Sequence, residues 1–184
     1  MAWGYAMRKV IAFCGFEQSG KSYSALRLKT TMGFEVVSFA DPLRDIAFKT
    51  LRIDAEKAMP MYEKLKTTEI LPYLTFRNVL ENLGSAVRRY DEDFWANAAV
   101  KKISESVKNI SINDLRYKNE YMVLKDYCDR NSISFKLIFC DYHSEKYKDN
   151  NEHESAKLAR YLKDIGYEDQ QIVKHGDMEA YGGR

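Results

Sequence analysis

The sequence predicts an α/β protein in which a central parallel sheet of five strands lies between layers of helices, a three-layer sandwich. Segments rich in β-branched and aromatic residues alternate along the chain with segments of helical periodicity. No internal repeat interrupts the alternation, and 184 residues suffice for one domain with a small insertion. The strand-type segments are 10–13, 34–39, 110–113, 135–139 and 171–173.

The earliest of these strands leads into the sequence GFEQSGKS at residues 15–22, and a helix-type segment follows. Gly15 and Gly20 permit positive φ, so that successive backbone N–H groups can surround a polyphosphate. Lys21 can then reach the β- and γ-phosphates, and the Ser22 hydroxyl can bind Mg²⁺. This order predicts a P-loop that binds a nucleoside triphosphate; an ordinary strand-to-helix turn is the alternative.

Composition excludes several classes of protein. The chain is 45% hydrophobic and 30% charged, as in globular proteins, and a net charge of +2 gives no case for stable nucleic-acid binding. No apolar run approaches the ~20 residues of a membrane span, and residues 1–7 lack the features of a signal peptide. The widely spaced Cys14, Cys128 and Cys140 are expected to be buried free thiols in a reducing cytoplasm.

Two aspartates follow predicted strands. Asp41 precedes Pro42, which suits a helix cap, and it also lies at the carboxyl end of a strand, where ligands bind in α/β sheets. Asp114 can hold Mg²⁺ through water or accept a hydrogen bond from Ser22; the alternative is a cap for the helix near Asn119. No glutamate follows Asp114 and no Asn-Lys-x-Asp occurs, so the signatures of ATP-driven motors and GTPase switches are missing.

The helix predicted from residue 75 is amphipathic. Its Arg77 and Arg88 are about 16 Å apart along the axis, too far to bind one phosphate. The next helix, predicted over 91–105, carries Trp95, which we interpret as a core aromatic residue. Phe76, Val79, Leu80, Leu83 and Val87 form an apolar stripe, whereas Arg77, Glu81, Gly84 and Arg88 lie on a separate face.

Two segments are predicted to lie outside the core. Residues 54–74 contain two prolines and three lysines with weak periodicity, typical of an inserted flap. Residues 141–154 are almost wholly polar, which predicts a solvated loop or a closing lid. The candidate lid cations are Lys146, Lys148, Lys157 and Arg160.

Several of these motifs occur in the order found in one family. The chain resembles the phage-type deoxynucleoside monophosphate kinases, P-loop enzymes that transfer the γ-phosphoryl group of ATP to a deoxynucleoside monophosphate. The matching pieces are residues 15–22; FADPLR at 39–44; Thr75-x-Arg77 with Leu80, Leu83 and Gly84; Asp93 and Trp95; Asp114-x-Arg116 with Glu120; His153 with Ser155; and Ile172-x-x-x-Gly176.

The resemblance implies one domain over residues 1–184, with an acceptor-binding insertion near 54–90 and a lid near 141–157. It implies ATP and Mg²⁺ as cofactors, with Ser22 and Asp114 toward the metal, and a location in the cytoplasm, that of the host if the chain is phage-encoded. A homodimer is left open. Donor binding is implied for Gly15, Glu17, Gln18, Ser19, Gly20, Lys21, Ser22, Tyr23, Lys174 and Gly176; acceptor binding for Asp41, Arg44, Arg77, Glu81, Arg88 and Trp95; and catalysis for Lys21, Arg77, Asp114 and Arg116.

Three positions depart from the family pattern. Glu81 stands in place of a glutamine, Cys140 in place of a lid arginine, and Ala156 in place of an acidic residue. The departures at Cys140 and Ala156 leave open a non-catalytic nucleotide-binding module. A P-loop kinase for another phosphate acceptor such as dephospho-coenzyme A also stays open, since it shares the P-loop and the Asp after the second strand, but it gives no reason for Thr75-x-Arg77.

Overall fold

The computed structural model describes residues 7–15, 19–140, 154–165 and 172–173, and its architecture is α/β. In chain order the elements are β1 (Lys9–Gly15), α1 (Lys21–Met32), β2 (Glu35–Val37), α2 (Asp41–Leu51), α3 (Ala55–Ala58), a 3₁₀ turn (Met59–Met61), α4 (Tyr62–Thr67), β3 (Glu69–Leu71), β4 (Leu74–Thr75), α5 (Phe76–Arg88), α6 (Phe94–Glu105), β5 (Ile110–Ile112), α7 (Lys118–Arg130), β6 (Ser134–Cys140), α8 (Glu154–Asp164) and β7 (Ile172–Val173).

The central sheet is parallel, as predicted. Its strands β2, β5, β1 and β6 lie side by side in that order. The short β7 pairs in parallel with Phe139 and Cys140 of β6. Strand β1 thus lies between β5 and β6, so its carboxyl end at Gly15 lies at a point where the strand order reverses.

Side chains of β1 alternate between two apolar clusters, because successive residues of a strand point to opposite faces. Val10, Ala12 and Cys14 pack with α6, α7 and α8. Phe13 packs with Ala25 of α1 on the opposite face. Both faces of the sheet are therefore covered by helices, as the alternating sequence pattern predicts.

A third apolar cluster lies beside the sheet and involves the segment predicted as a flap. Phe76 is fully buried, and its ring stacks on that of Phe48 with a centroid distance of 5.3 Å. Ala58 is buried in the same cluster, and Tyr62 and Leu65 pack against it. Residues 54–74 are therefore anchored to α2 and α5 by a small core.

Helix α5 begins with a reciprocal cap that fixes its first turn. Thr75 Oγ1 accepts the N–H of Asn78 at 3.2 Å, and Asn78 Oδ1 accepts the N–H of Thr75 at 3.1 Å. Arg77 lies in that first turn. The expected start of α6 at Asp91 is wrong, since the helix begins at Phe94.

Two further expectations can be compared with the described residues. Cys14, Cys128 and Cys140 are all buried and free, as predicted. Within the described part of the chain, no helix combines the length and the apolar character needed to cross a bilayer.

Candidate functional site

The loop between β1 and α1 brings Lys21 to the carboxyl end of the sheet. Gly15 and Gly20 have φ values of +132° and +88°, the positive values predicted for them. Lys21 is 8% exposed, and its Nζ donates to the carbonyl of Gly15 at 2.9 Å and to Ser19 Oγ at 3.3 Å. Residues 16–18, which include the predicted donor-binding Glu17 and Gln18, lie outside the described residues.

The first turn of α1 is suited to an anion. Its N-cap is Gly20, which has no side chain that could cap the helix, and no acidic residue lies in the first turn. The N–H groups of this turn and the positive end of the helix dipole therefore have no carboxylate beside them in the turn itself. Ser22 and Tyr23 are exposed at the same end of the helix, so the Ser22 hydroxyl is accessible to a ligand.

A cavity of about 320 Å³ joins this loop to α5, and its lining is strongly basic. Among the described residues that line it, the cations outnumber the single carboxylate, that of Glu81. Burial and then the nearby Arg116 lower the pKa of Lys21. Such a cluster of like charges favours a multiply charged anion as ligand. The lining comprises Gly15, Lys21, Tyr62, Lys66, Arg77, Leu80, Glu81 and Arg116.

A second cavity of about 200 Å³ adjoins the first and is more apolar. Leu80, Glu81 and Arg116 line both cavities, so they form the boundary between them. A ligand with an anionic end and a flat, partly apolar end could occupy the two together. The remaining lining residues are Phe39, Ala40, Leu43, Gly84, Ser85, Arg88, Trp95, Asp114, Tyr117 and Glu120.

The residues predicted on the polar face of α5 lie along the two cavities, together with Leu80 of the predicted apolar stripe. Arg77 lines the basic cavity, Glu81 both, and Gly84 and Arg88 the second. A Cβ on Gly84 would lie 3.3 Å from Leu43 Cδ2. Trp95 is 2% exposed and donates from Nε1 to the carbonyl of Gly84 at 3.1 Å. Trp95 is thus the predicted core aromatic and also part of the cavity wall.

Arg88 is held in the second cavity by contacts that sequence reasoning did not identify. Its guanidinium lies 4.2 Å from the ring centroid of Tyr117, and its Nη2 lies 3.4 Å from Glu120 Oε1. Glu120 Oε2 also accepts the N–H groups of Arg116 at 2.9 Å and Tyr117 at 3.1 Å. Buried Glu120 therefore fixes the backbone that carries Arg116.

Glu120 is expected to make stability depend on pH. Burial first, and then the charge of Asp114, raises the pKa of Glu120 to about 7 from 4.5, against the opposing effect of Arg88 and the two N–H groups. The stabilisation from protonated Glu120 is complete below about pH 4.5 and is lost as the pH rises through about 7, an effect of about 3 kcal/mol.

Glu120→Gln removes this ionisation. The unfolding free energy of the wild type minus that of the variant should fall by about 3 kcal/mol between pH 4.5 and 7 in denaturant titrations. The exposed Glu105→Gln on α6 serves as control and should follow the wild type. A constant difference between wild type and Glu120→Gln across this range would contradict the prediction.

Asp114 makes contacts that differ from those expected of it. Its carboxylate accepts the Ser38 hydroxyl, the N–H of Phe39 at 2.8 Å and the N–H of Ala40 at 3.1 Å. The alternative, in which Asp114 caps the helix near Asn119, is wrong, since Glu120 accepts the N–H groups before that helix. Three of about four lone-pair positions are used, so one position remains for the expected contact with Mg²⁺ through water or with the Ser22 hydroxyl.

The described residues also contain no cluster of three or more His, Cys, Asp or Glu able to hold a metal ion. Of the two residues implied to act toward Mg²⁺, Ser22 and Asp114, Ser22 is the exposed one.

Asp41 and Arg44, predicted on the acceptor side, line neither cavity. The expected cap by Asp41 is also wrong: Ala40 is the N-cap, and Asp41 is the first residue of α2. Its carboxylate accepts the N–H of Ser38 at 3.1 Å and pairs with Arg44 and with Lys102, the latter at 2.9 Å. These bonds fix the turn between β2 and α2.

One cation of the basic cavity that the sequence did not assign comes from α4. Lys66 and Tyr62 line the cavity together with Lys21 and Arg77. Residues 54–74 contain three lysines, which is the sequence feature that could have indicated a cation here. The weak periodicity of the segment gave no means of predicting which lysine lines the cavity.

The predicted lid cations fall into two groups. Lys157 and Arg160 lie on α8 and line neither cavity; Lys157 pairs with Glu154 at 2.9 Å. Lys146 and Lys148 lie outside the described residues, as do Lys174 and Gly176, which the resemblance implies for donor binding.

Comparisons with protein-family models and with curated proteins gave no match for this chain. The fold and site define an α/β protein with a basic cleft at the carboxyl end of a parallel sheet.

Proposed function

We propose that this protein transfers the γ-phosphoryl group of ATP to a deoxynucleoside monophosphate, forming ADP and the deoxynucleoside diphosphate. One observation carries the proposal: Lys21, beside the glycine-rich loop, and Arg77, at the start of α5, line the same cavity. An isolated triphosphate site would need no basic residue from α5. A cation on each side of one cleft suits two phosphorylated ligands that meet between them.

The second cavity supports a nucleotide as the acceptor. It lies next to the basic cavity across Leu80, Glu81 and Arg116, and Trp95 and Tyr117 contribute to its wall. A nucleoside monophosphate has a dianionic phosphate at one end and a flat base at the other. In the proposed complex the phosphate lies near Arg77 and the base lies in the second cavity.

The proposed reaction is a direct in-line transfer. An oxygen of the acceptor phosphate forms a bond to the γ-phosphorus, and the bond from that phosphorus to the β,γ-bridging oxygen breaks, so ADP leaves. The attacking oxygen is already ionised near neutral pH, so no general base is required. Lys21, Arg77 and Arg116 align the two anions and offset their repulsion.

Mg²⁺ enters this proposal with the phosphates of ATP, and the Ser22 hydroxyl would hold it. When bound, it would neutralise charge on the transferring group. Asp114 would contribute to holding Mg²⁺ through water, and by binding Ser38, Phe39 and Ala40 it also keeps the turn after β2 at the edge of the second cavity.

Substrate choice and enzyme class are tested together by a coupled assay of ADP formation. The purified chain is given MgATP with dGMP, dTMP, dCMP, dAMP, their ribonucleotide counterparts or dephospho-coenzyme A. ADP formation that depends on a deoxynucleoside monophosphate supports the proposal. A response to dephospho-coenzyme A alone favours the other kinase class, and ATP binding without any acceptor-dependent turnover favours a non-catalytic module.

Arg77→Gln is expected to raise the KM for the acceptor by about 10²-fold, because a charge-assisted contact to its phosphate is lost. The KM for ATP should change little. Arg89→Gln, at the exposed end of the same helix, is the matched control and should behave as wild type. An unchanged acceptor KM in Arg77→Gln would contradict the assignment of Arg77 to the acceptor.

A further inference from the structure

Lys66 is a cation of the basic cavity that the proposed mechanism leaves without a role. It lies on α4, within the segment 54–74, and lines the cavity together with residues of the glycine-rich loop and of α5. Its side chain is only 25% exposed, whereas that of its ion-pair partner Glu63 is 83% exposed. The ammonium is therefore sheltered, while the carboxylate that pairs with it is largely in solvent.

The ammonium of Lys66 is positioned by one aromatic ring and one carboxylate. Its Nζ lies 4.8 Å from the ring centroid of Tyr62 and 2.7 Å from Glu63 Oε1. The Tyr62 ring meets Phe76 edge-on at 6.3 Å, and Phe76 is fully buried. Phe76 directly precedes Arg77. The Tyr62 ring, which contacts Lys66, therefore packs against the turn that carries Arg77.

Charge at the cavity supports an anion beside Lys66. The pair with exposed Glu63 gives weak stabilisation, since solvent screens it. The described residues that line the cavity include the cations of Lys21, Arg77 and Arg116 besides Lys66, and one carboxylate, that of Glu81, so this lining is net positive. A dianionic phosphate between Lys66 and Arg77 would offset the positive charge of the cavity better than the exposed carboxylate of Glu63 does.

We propose that Lys66, supported by the ring of Tyr62, is a phosphate-binding residue for the acceptor and holds its monophosphate together with Arg77. This inference rests on the proposed function and adds to it a residue from α4. The alternative is that Lys66 only makes a surface ion pair with Glu63.

The test compares Lys66→Gln with Lys64→Gln. Lys64 lies on the same helix and is exposed, which makes it a matched control. Calorimetric titrations measure the Kd for dGMP, dTMP, dCMP and dAMP, for the corresponding deoxynucleosides, and for ATP. Lys66→Gln should weaken binding of the accepted monophosphate about tenfold, with its deoxynucleoside and ATP changed less than about threefold. Lys64→Gln should change none of these.

Lys66→Arg provides the rescue, because the guanidinium keeps the charge and can also lie over the Tyr62 ring, so the variant should bind the monophosphate within about threefold of wild type. Circular dichroism melts of all three variants check that they fold. Monophosphate affinity in Lys66→Gln equal to that in Lys64→Gln would overturn the role of Lys66 and leave the kinase proposal standing. A wild-type chain that binds ATP but no monophosphate would overturn both.

Discussion

Replacing Lys21 with methionine is expected to reduce phosphoryl transfer by about 10³-fold, the largest effect on activity that we predict. Lys21 is the cation that the glycine-rich loop holds at the carboxyl end of β1, and it shares its cavity with Arg77. In the proposed reaction its charge meets the β- and γ-phosphates, where negative charge changes most. Methionine has a similar length and supplies neither charge nor donor.

The fold should survive this change. Burial and then the charge of Arg116 lower the pKa of Lys21, so the ammonium is less favourable in the folded protein than in the unfolded chain. Loss of the bond to the Gly15 carbonyl costs about 1 kcal/mol, and the relief of charge repulsion opposes that cost. Thermal unfolding followed by circular dichroism measures the balance, with exposed Lys29→Met on α1 as control. Full activity in Lys21→Met would refute the proposed mechanism.

Gly15→Ala is expected to give the largest loss of stability, about 4 kcal/mol, from backbone strain and steric overlap combined. Gly15 has φ +132°, and a Cβ on it would lie 2.4 Å from the carbonyl oxygen of Cys140. That oxygen belongs to the backbone of β6, which pairs with β1 along its whole length, so it cannot move aside without disturbing the sheet.

Gly33→Ala is the matched control for backbone conformation alone. Gly33 ends α1 with φ +70°, and a Cβ added to it would have no atom within 4 Å. We expect a loss of about 1 kcal/mol there. Urea titrations of both variants measure the difference. Equal losses would mean that the overlap with Cys140 is relieved cheaply and that β6 does not constrain the start of the loop.

Short-range patterns in the sequence were sufficient to predict those features of the site that depend on a single helix, strand or turn. Positive φ at Gly15 and Gly20 follows from the need for a tight turn after β1. The division of α5 into an apolar and a polar face follows from helical spacing, and it placed Arg77 and Arg88 on the side that lines the cavities. Both predictions depend on neighbours only a few residues apart.

Contacts between distant segments could not be predicted in this way. The carboxylate of Asp114 binds the turn at 38–40 because β2 lies beside β5, and nothing near Asp114 in the chain specifies that register. The same turn gave the wrong cap at Asp41, because α2 begins one residue earlier than Pro42 suggests and the Asp41 carboxylate binds the N–H of Ser38 and the ammonium of Lys102.

Local patterns of residues were enough to predict the parallel α/β fold, the glycine-rich loop and the polar face of α5, because each depends on periodicity or on the conformational freedom of single residues. They could not predict that Lys66 joins Lys21 and Arg77 in one cavity, or that Glu120 fixes the backbone of Arg116. These placements result from packing around Phe76 and Tyr62 and from the burial of Glu120, which join parts of the chain that no local pattern connects.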